Sequence, residues 1–302
     1  MKNEKRLITR RDFMRGTVGA ALGASLGTSL LGVDRAFGAE NMAPSSLVTV
    51  VRNEKVMDAE GATVDSKILR AMLDQAVMLT TGEKNAKDAW LQLVKPKDTV
   101  GLVPTRALNP THTELYDAVE ASLMEAGIPK NSISNVQGRT SSAKVDACTA
   151  LISLPALKAH WLTGIGTVIK NYIMFSGRPT HYHGEDSVKL GEIWHQPNVK
   201  GKTRLVLVDA LHPLCDKGPQ VDPRYKWAYN GLIAGKDPVA VETVCVRILE
   251  EKRRLMRGEP WPLSPPPLCV EAADRVYHLG TSKLAEIRIK QVGWTKDNLL
   301  AV

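Results

Sequence analysis

Runs of β-branched and aliphatic residues alternate along this chain with stretches whose apolar positions recur every three or four residues. SLVTVV (46–51) carries the first pattern and predicts a strand. DSKILRAMLDQAVMLTTG (65–82) carries the second: Ile68, Leu69, Met72, Leu73, Ala76 and Val77 share one helical face, Asp65 is placed to cap it and Gly82 to end it. The alternation continues with a short strand in DTVGLVP (98–104). A helix follows in THTELYDAVEASLMEAGIP (111–129), capped by Thr111 or Thr113 and stopped by Gly127 and Pro129. An apolar strand is predicted in ACTALISLP (147–155). RLVLVDAL (204–211) is too continuously apolar to have a solvated face, which places it in the middle of a sheet. A long helix follows Asp237 as N-cap and Pro238 as first helical residue, another runs through SPPPLCVEAADRVYHLG, and EIRIKQVGW (286–294) closes the chain as a strand.

Strands alternating with helices predict an α/β fold: a largely parallel or mixed sheet with helices on both faces, with room for a small second lobe. The polar stretch 176–202 is long for an idle connection, and holds one short helical pattern over Val188–Trp194. It is expected to wall or cover a site.

The N-terminus breaks the pattern. Arg10 and Arg11 precede Asp12 and Phe13, a weakly apolar Gly/Ala-rich stretch follows, and small residues at Ala36 and Gly38 suit a peptidase. Residues 1–39 therefore read as a twin-arginine leader for export to the periplasm, with the export machinery as partner and no stable membrane anchor. Residues 40–302 then form a single α/β domain. The first cysteine is Cys148, which argues against a lipid anchor near the cut.

The formal charge of the whole chain is +8. Setting aside the leader's seven Lys and Arg and three Asp and Glu leaves 33 basic against 29 acidic residues, or +4. That balance, with no basic patch interleaved with aromatics, excludes a nucleic-acid binder. Cys148, Cys215, Cys245 and Cys269 lack the close spacing of an iron–sulfur or zinc site and are expected to be mostly buried thiols.

The candidate chemistry gathers in LPALKAHWLTGIGTVIKN (154–171), where charged groups interrupt a run that otherwise reads as core. Alternation along an extended SLPALKAH puts Lys158 and His160 on one side. TGIG is expected to open a helix whose N-terminal N–H groups, with Gly164 and the Thr163 hydroxyl, attract an anion. Lys170 then follows two turns along the same face, beside Asn171. Two ammonium groups, an imidazole and a helix N-terminus suit a carboxylate, a phosphate or a developing enolate-like charge. Asp209, at the end of the central strand, stands where open α/β sheets bind ligands. His181 and His183, at i and i+2 in THYHGED, admit a divalent metal with His195, Glu185, Asp186 or His212. Arg178 and Tyr182 are further candidates in the same stretch. Trp194, Trp227, Tyr225 and Tyr229 suit packing or a pocket wall.

ALISLPALKAHWLTGIGTVIKNYIMFSG resembles the signature of the domain of unknown function 362 family: an apolar strand, Lys-x-His, Thr-Gly, then Lys-Asn. LVLVDAL with Gly218-Pro219, and GLIAGKDPVAVETV with Asp237, Pro238 and Ala240, match further family stretches in order, so the similarity covers most of residues 95–250. The chain departs from the family pattern at Val103-Pro104-Thr105, where Lys-Pro-Asn is common. It departs again at Glu242, where Asp is frequent, and in lacking a ferredoxin-like module. The resemblance implies no reaction. Two readings stand: an enzyme moving a proton next to the charge of a small anionic substrate, or a non-catalytic periplasmic accessory protein binding a metal or ligand for a redox system. In the first, Lys158 and Lys170 hold the charge, His160 moves the proton and Asp209 orients one of them.

Overall fold

A computed structural model describes residues 46–137 and 142–300. The leader motif, its cleavage and its apolar stretch lie outside the described residues.

The described strands join into a nine-stranded sheet. Its main path runs β3 (Ile133–Asn135), β2 (Val100–Pro104), β4 (Ala150–Leu154), β7 (Thr203–Leu214), β8 (Gly231–Gly235), β1 (Ser46–Arg52) and β9 (Ile287–Gly293). β5 (Ala156–His160) pairs with β7, and β6 (Gly164–Ile165) pairs with β5. β3, β2, β4 and the first half of β7 run parallel, β8 is antiparallel to both β7 and β1, and β9 is parallel to β1. The strand expected to be central is central: β7 is buried along Leu205–Leu211 and has neighbours on both sides.

Alternation along these strands feeds two cores, one per face. Val100, Leu102, Ile152, Leu205 and Leu207 pack under α1 (Ser66–Thr81), α2 (Ala86–Leu93) and α3 (Thr113–Glu125). Val48, Val50, Leu151, Val206 and Val208 face the other way. There they meet α6 (Pro238–Arg257), α7 (Leu268–Arg275) and the folded segment 168–199. That segment contains α5 (Gly191–Trp194), while α4 (Ser142–Ala147) precedes β4. Asp65 caps α1 by accepting the Lys67 and Ile68 N–H groups, and Asp237 caps α6 through those of Val239 and Ala240. The cap of α3 differs from expectation. His112 occupies it, while the Thr111 hydroxyl donates to the Leu154 carbonyl.

All four cysteines are buried thiols. Among the described residues, no helix is long and apolar enough to cross a membrane. The stretch 176–202 is a wall built from 3-10 turns at Pro179–Tyr182 and Gly184–Leu190 and from α5. Its Trp194 packs on the Tyr172 ring and donates its indole N–H to the Ile169 carbonyl.

Candidate functional site

Pro155 separates β4 from β5, and the carbonyl it leaves accepts the Asp209 N–H, so the chain continues along β7 with a change of register. β5 then carries Lys158 and His160 into a cavity of about 590 Å³ beyond the carboxyl ends of β2 and β4. This is where parallel sheets expose strand ends and loops to ligands. Leu157 and Ala159, of opposite parity, enter the core.

The expected helix at TGIG does not form. Residues 163–167 instead fold back along β5 as a hairpin: Gly164 pairs with His160, Ile165 with Ala159, and the Gly166 N–H donates to the Lys158 carbonyl. Tertiary pairing outcompetes the weak local helix signal, because β5 presents an edge that must be satisfied. Two site assignments change with it. Thr163 is fully buried and donates its hydroxyl to the Ile165 carbonyl, closing the turn. Gly164, at φ +75°, packs where a Cβ would meet the Pro265 carbonyl and Pro267, on the side away from the cavity. The glycine that lines the cavity is Gly166, whose missing Cβ would lie 3.1 Å from the His160 ring. Its absence lets the hairpin lie flat on the imidazole.

The hairpin delivers Lys170 and Asn171 on a 3-10 helix, Ile169–Ser176. Asn171 donates through Nδ2 to the Val103 carbonyl (2.7 Å) and to Ser153 Oγ (2.9 Å), tying this segment across the ends of β2 and β4. It borders the cavity, and its amide donors are committed to the scaffold. Asn171→Ala leaves two acceptors without this donor, so urea unfolding is expected to show a loss of about 1–3 kcal/mol.

Behind the hairpin, Glu242 on the second turn of α6 is fully buried, and its Oε2 accepts the Val168 N–H at 2.6 Å. Burial pushes its carboxyl up to about 8, against the pull of the Val168 and Ile169 N–H groups. Glu242 is thus the clamp on the loop that positions Lys170. In the sequence it stood out only as a departure from the family pattern.

Burial dominates the electrostatics of the cavity. Lys158 is 4% exposed and donates to the Asn109 carbonyl at 3.2 Å. Desolvation and then the Lys170 charge bring its ammonium down to about 7, with Asp209 working the other way. Desolvation brings Lys170 down to about 8. His160 falls to about 3, through desolvation and then the charge of Lys170. Its Nδ1 accepts the Leu162 N–H, so the neutral ring carries its proton on Nε2. His160 is therefore a neutral Nε2–H donor at physiological pH.

His183 also lines the cavity, its ring stacked on His160 with centroids 5.5 Å apart. The i, i+2 reasoning assumes an extended THYH, whereas Thr180, His181 and Tyr182 lie in a 3-10 turn that ends before the extended His183. His181 is exposed and packs edge-on against Tyr182, His195 pairs with the Tyr277 carbonyl, and His212 with that of Gly61. Among the described residues no group of three His, Cys, Asp or Glu gathers for a metal. Arg178 is exposed and Tyr182 enters the core; neither lines the cavity.

Asp209 also lies outside the cavity lining. Its Oδ2 accepts the His112 N–H and pairs with His112 Nδ1, both at 2.7 Å, while Oδ1 accepts the Leu211 N–H. Burial lowers the His112 imidazolium, but the Asp209 carboxylate outweighs it and the net shift is upward. Asp209 thus anchors the far end of the loop 105–112, whose Asn109 carbonyl holds Lys158. His112 and Arg106 escaped notice in the sequence. Arg106 could have been found from its place directly after a strand that ends at the site.

Residues 101–247 match the family model described as Domain of unknown function (DUF362). This stretch of the chain belongs to the DUF362 family. No curated protein and no solved structure matches the chain. The DUF362 region contains every cavity-lining residue named above together with Asp209, His112 and Glu242. Thr105 Oγ1 accepts the Ala156 N–H and the Val103 carbonyl accepts from Asn171. Val103 and Thr105 thus help join β2 to β5 and to the hairpin.

Proposed function

We propose that this DUF362 protein is an exported, periplasmic enzyme acting on a small anion that carries an apolar body. The observation that carries the reading is the sign of the cavity wall: Arg106, Lys158 and Lys170 line it, and among the described lining residues no Asp or Glu does. Val103, Pro104, Leu108, Ile173, Met174 and Phe175 supply an apolar wall beside the cations. A carboxylate or phosphate would seat against Lys170 and Arg106, with its apolar part along Phe175 and Met174. His160 offers a neutral Nε2–H donor, and Lys158, brought near neutrality, is suited to move the proton expected earlier of His160. Export rests on the twin-arginine pattern at Arg10 and Arg11.

Isothermal titration with phenyllactate, benzoate and phenyl phosphate tests the reading. At least one of these anions is expected to bind. Lys170→Met is then expected to weaken it about tenfold or more, the worth of one charge-assisted hydrogen bond. No binding by the wild type, or equal binding by the variant, overturns it.

A further inference from the structure

The cavity holds two buried-side amines without a carboxylate between them, and they are not equivalent. Lys170 makes no hydrogen bond or ion pair with a described residue. Lys158 sits deeper, on a strand, its Nζ held by a single backbone carbonyl, that of Asn109. Its main chain is fixed on both sides: its N–H donates to Thr167 Oγ1 and its carbonyl accepts the Gly166 N–H. A lysine desolvated in an apolar pocket and next to a second cation is the arrangement that keeps an amine unprotonated and nucleophilic.

We infer that Lys158 forms an imine with the carbonyl carbon of a 2-oxo carboxylate bearing an apolar body, the carboxylate resting against Lys170 and Arg106. This rests on the anion reading of the same cavity and adds the reacting group. The Lys158 Nζ lone pair adds to the ketone carbon, and the carbonyl oxygen takes up a proton to give a carbinolamine. Loss of the nitrogen-bound proton and the hydroxyl as water leaves a C=N bond. One water is released, and nothing is oxidised or reduced. Three features of the site favour the step. Burial and the Lys170 charge bring the Lys158 ammonium down to about 7, so a large share of the amine is free at neutral pH. His160, a neutral Nε2–H donor on the same strand, faces the same cavity and can hold the oxygen as it becomes hydroxyl. The apolar wall of Ile173, Met174 and Phe175 limits the water that would reverse the reaction.

Phenylpyruvate is the probe, with sodium borohydride added to the folded full-length protein and peptides mapped by tandem mass spectrometry. Reduction of the imine leaves a secondary amine heavier by the probe's mass less one oxygen atom. Labelling at Lys158 is expected to exceed that at any exposed lysine on the order of a thousandfold near pH 7, from the difference in free amine. Phenyllactate, which has no ketone, is expected to protect Lys158. Lys158→Arg, which keeps a cation, is expected to abolish the adduct in the corresponding peptide. Because the position is mapped in the wild type, the result stands even if that variant folds poorly. An absent adduct, or one spread evenly over surface lysines, overturns the imine. If phenyllactate still binds, the anion reading survives that failure. An adduct at Lys158 that phenyllactate neither binds near nor protects upholds the imine and overturns the anion reading.

Discussion

Between about pH 5 and pH 8, the Glu242→Gln variant is expected to gain stability on the wild type by about 1 kcal/mol for each pH unit. The native carboxyl, raised by burial from 4.5 to about 8, keeps its proton through that range, whereas the unfolded chain releases it. The native state then binds more protons than the unfolded state, so rising pH favours unfolding. The contribution of Glu242 is fully present below 4.5 and lost as pH climbs through about 8. Glutamine keeps an acceptor for the Val168 N–H and has no proton to lose, so its curve lacks this slope. Urea titrations at a series of pH values measure the difference directly. Parallel curves for wild type and variant would show that Glu242 titrates normally.

The largest loss of stability is expected at Arg253. This guanidinium is 2% exposed, pairs with Asp216, and donates to the carbonyls of Cys215, Trp261 and Pro262 while lying over the Trp261 ring. It ties α6 to the end of β7 and to the segment leading into α7. Arg253→Ala leaves Asp216 and three carbonyls without this partner, and is expected to cost about 3–5 kcal/mol. Arg253→Lys, which restores charge but not the planar fork, should recover only part of it. A loss below about 1 kcal/mol in urea unfolding would mean that water replaces the guanidinium.

Both residues lie on one helix, and only part of that helix's role could be seen in the sequence. Asp237 and Pro238 announced its start, because capping is local chemistry. Nothing local sets Arg253 apart in its basic run, where Arg254 and Arg257 are exposed. Arg253 differs because the turn after β7 and the chain at 261–262 close over it, and no local pattern encodes that. The same division runs through the fold. Continuous apolar runs marked β4 and β7, helical spacing marked α1, and capping or stop residues marked α3 and α6. α2 went unmarked because AKDAWLQL is short and its buried face holds only Ala89, Trp90 and Leu93. At the site, Lys158, His160 and Lys170 were legible because charge within an apolar run is costly and demands a reason. Their environment was not legible. The hairpin over His160, the Asp209–His112 contact and the Glu242 clamp all join residues far apart in the chain.

The clamp also fixes an order in time. The ribosome delivers Lys158 and Lys170 well before Glu242, which lies 74 residues beyond the Val168 N–H it holds. β1 is made earlier still, yet both strands that pair with it, β8 and β9, come from the last third of the chain. A nascent chain halted before α6 would therefore have its two cavity lysines without the carboxyl that secures their loop. The cavity is among the last parts of the molecule that synthesis can complete.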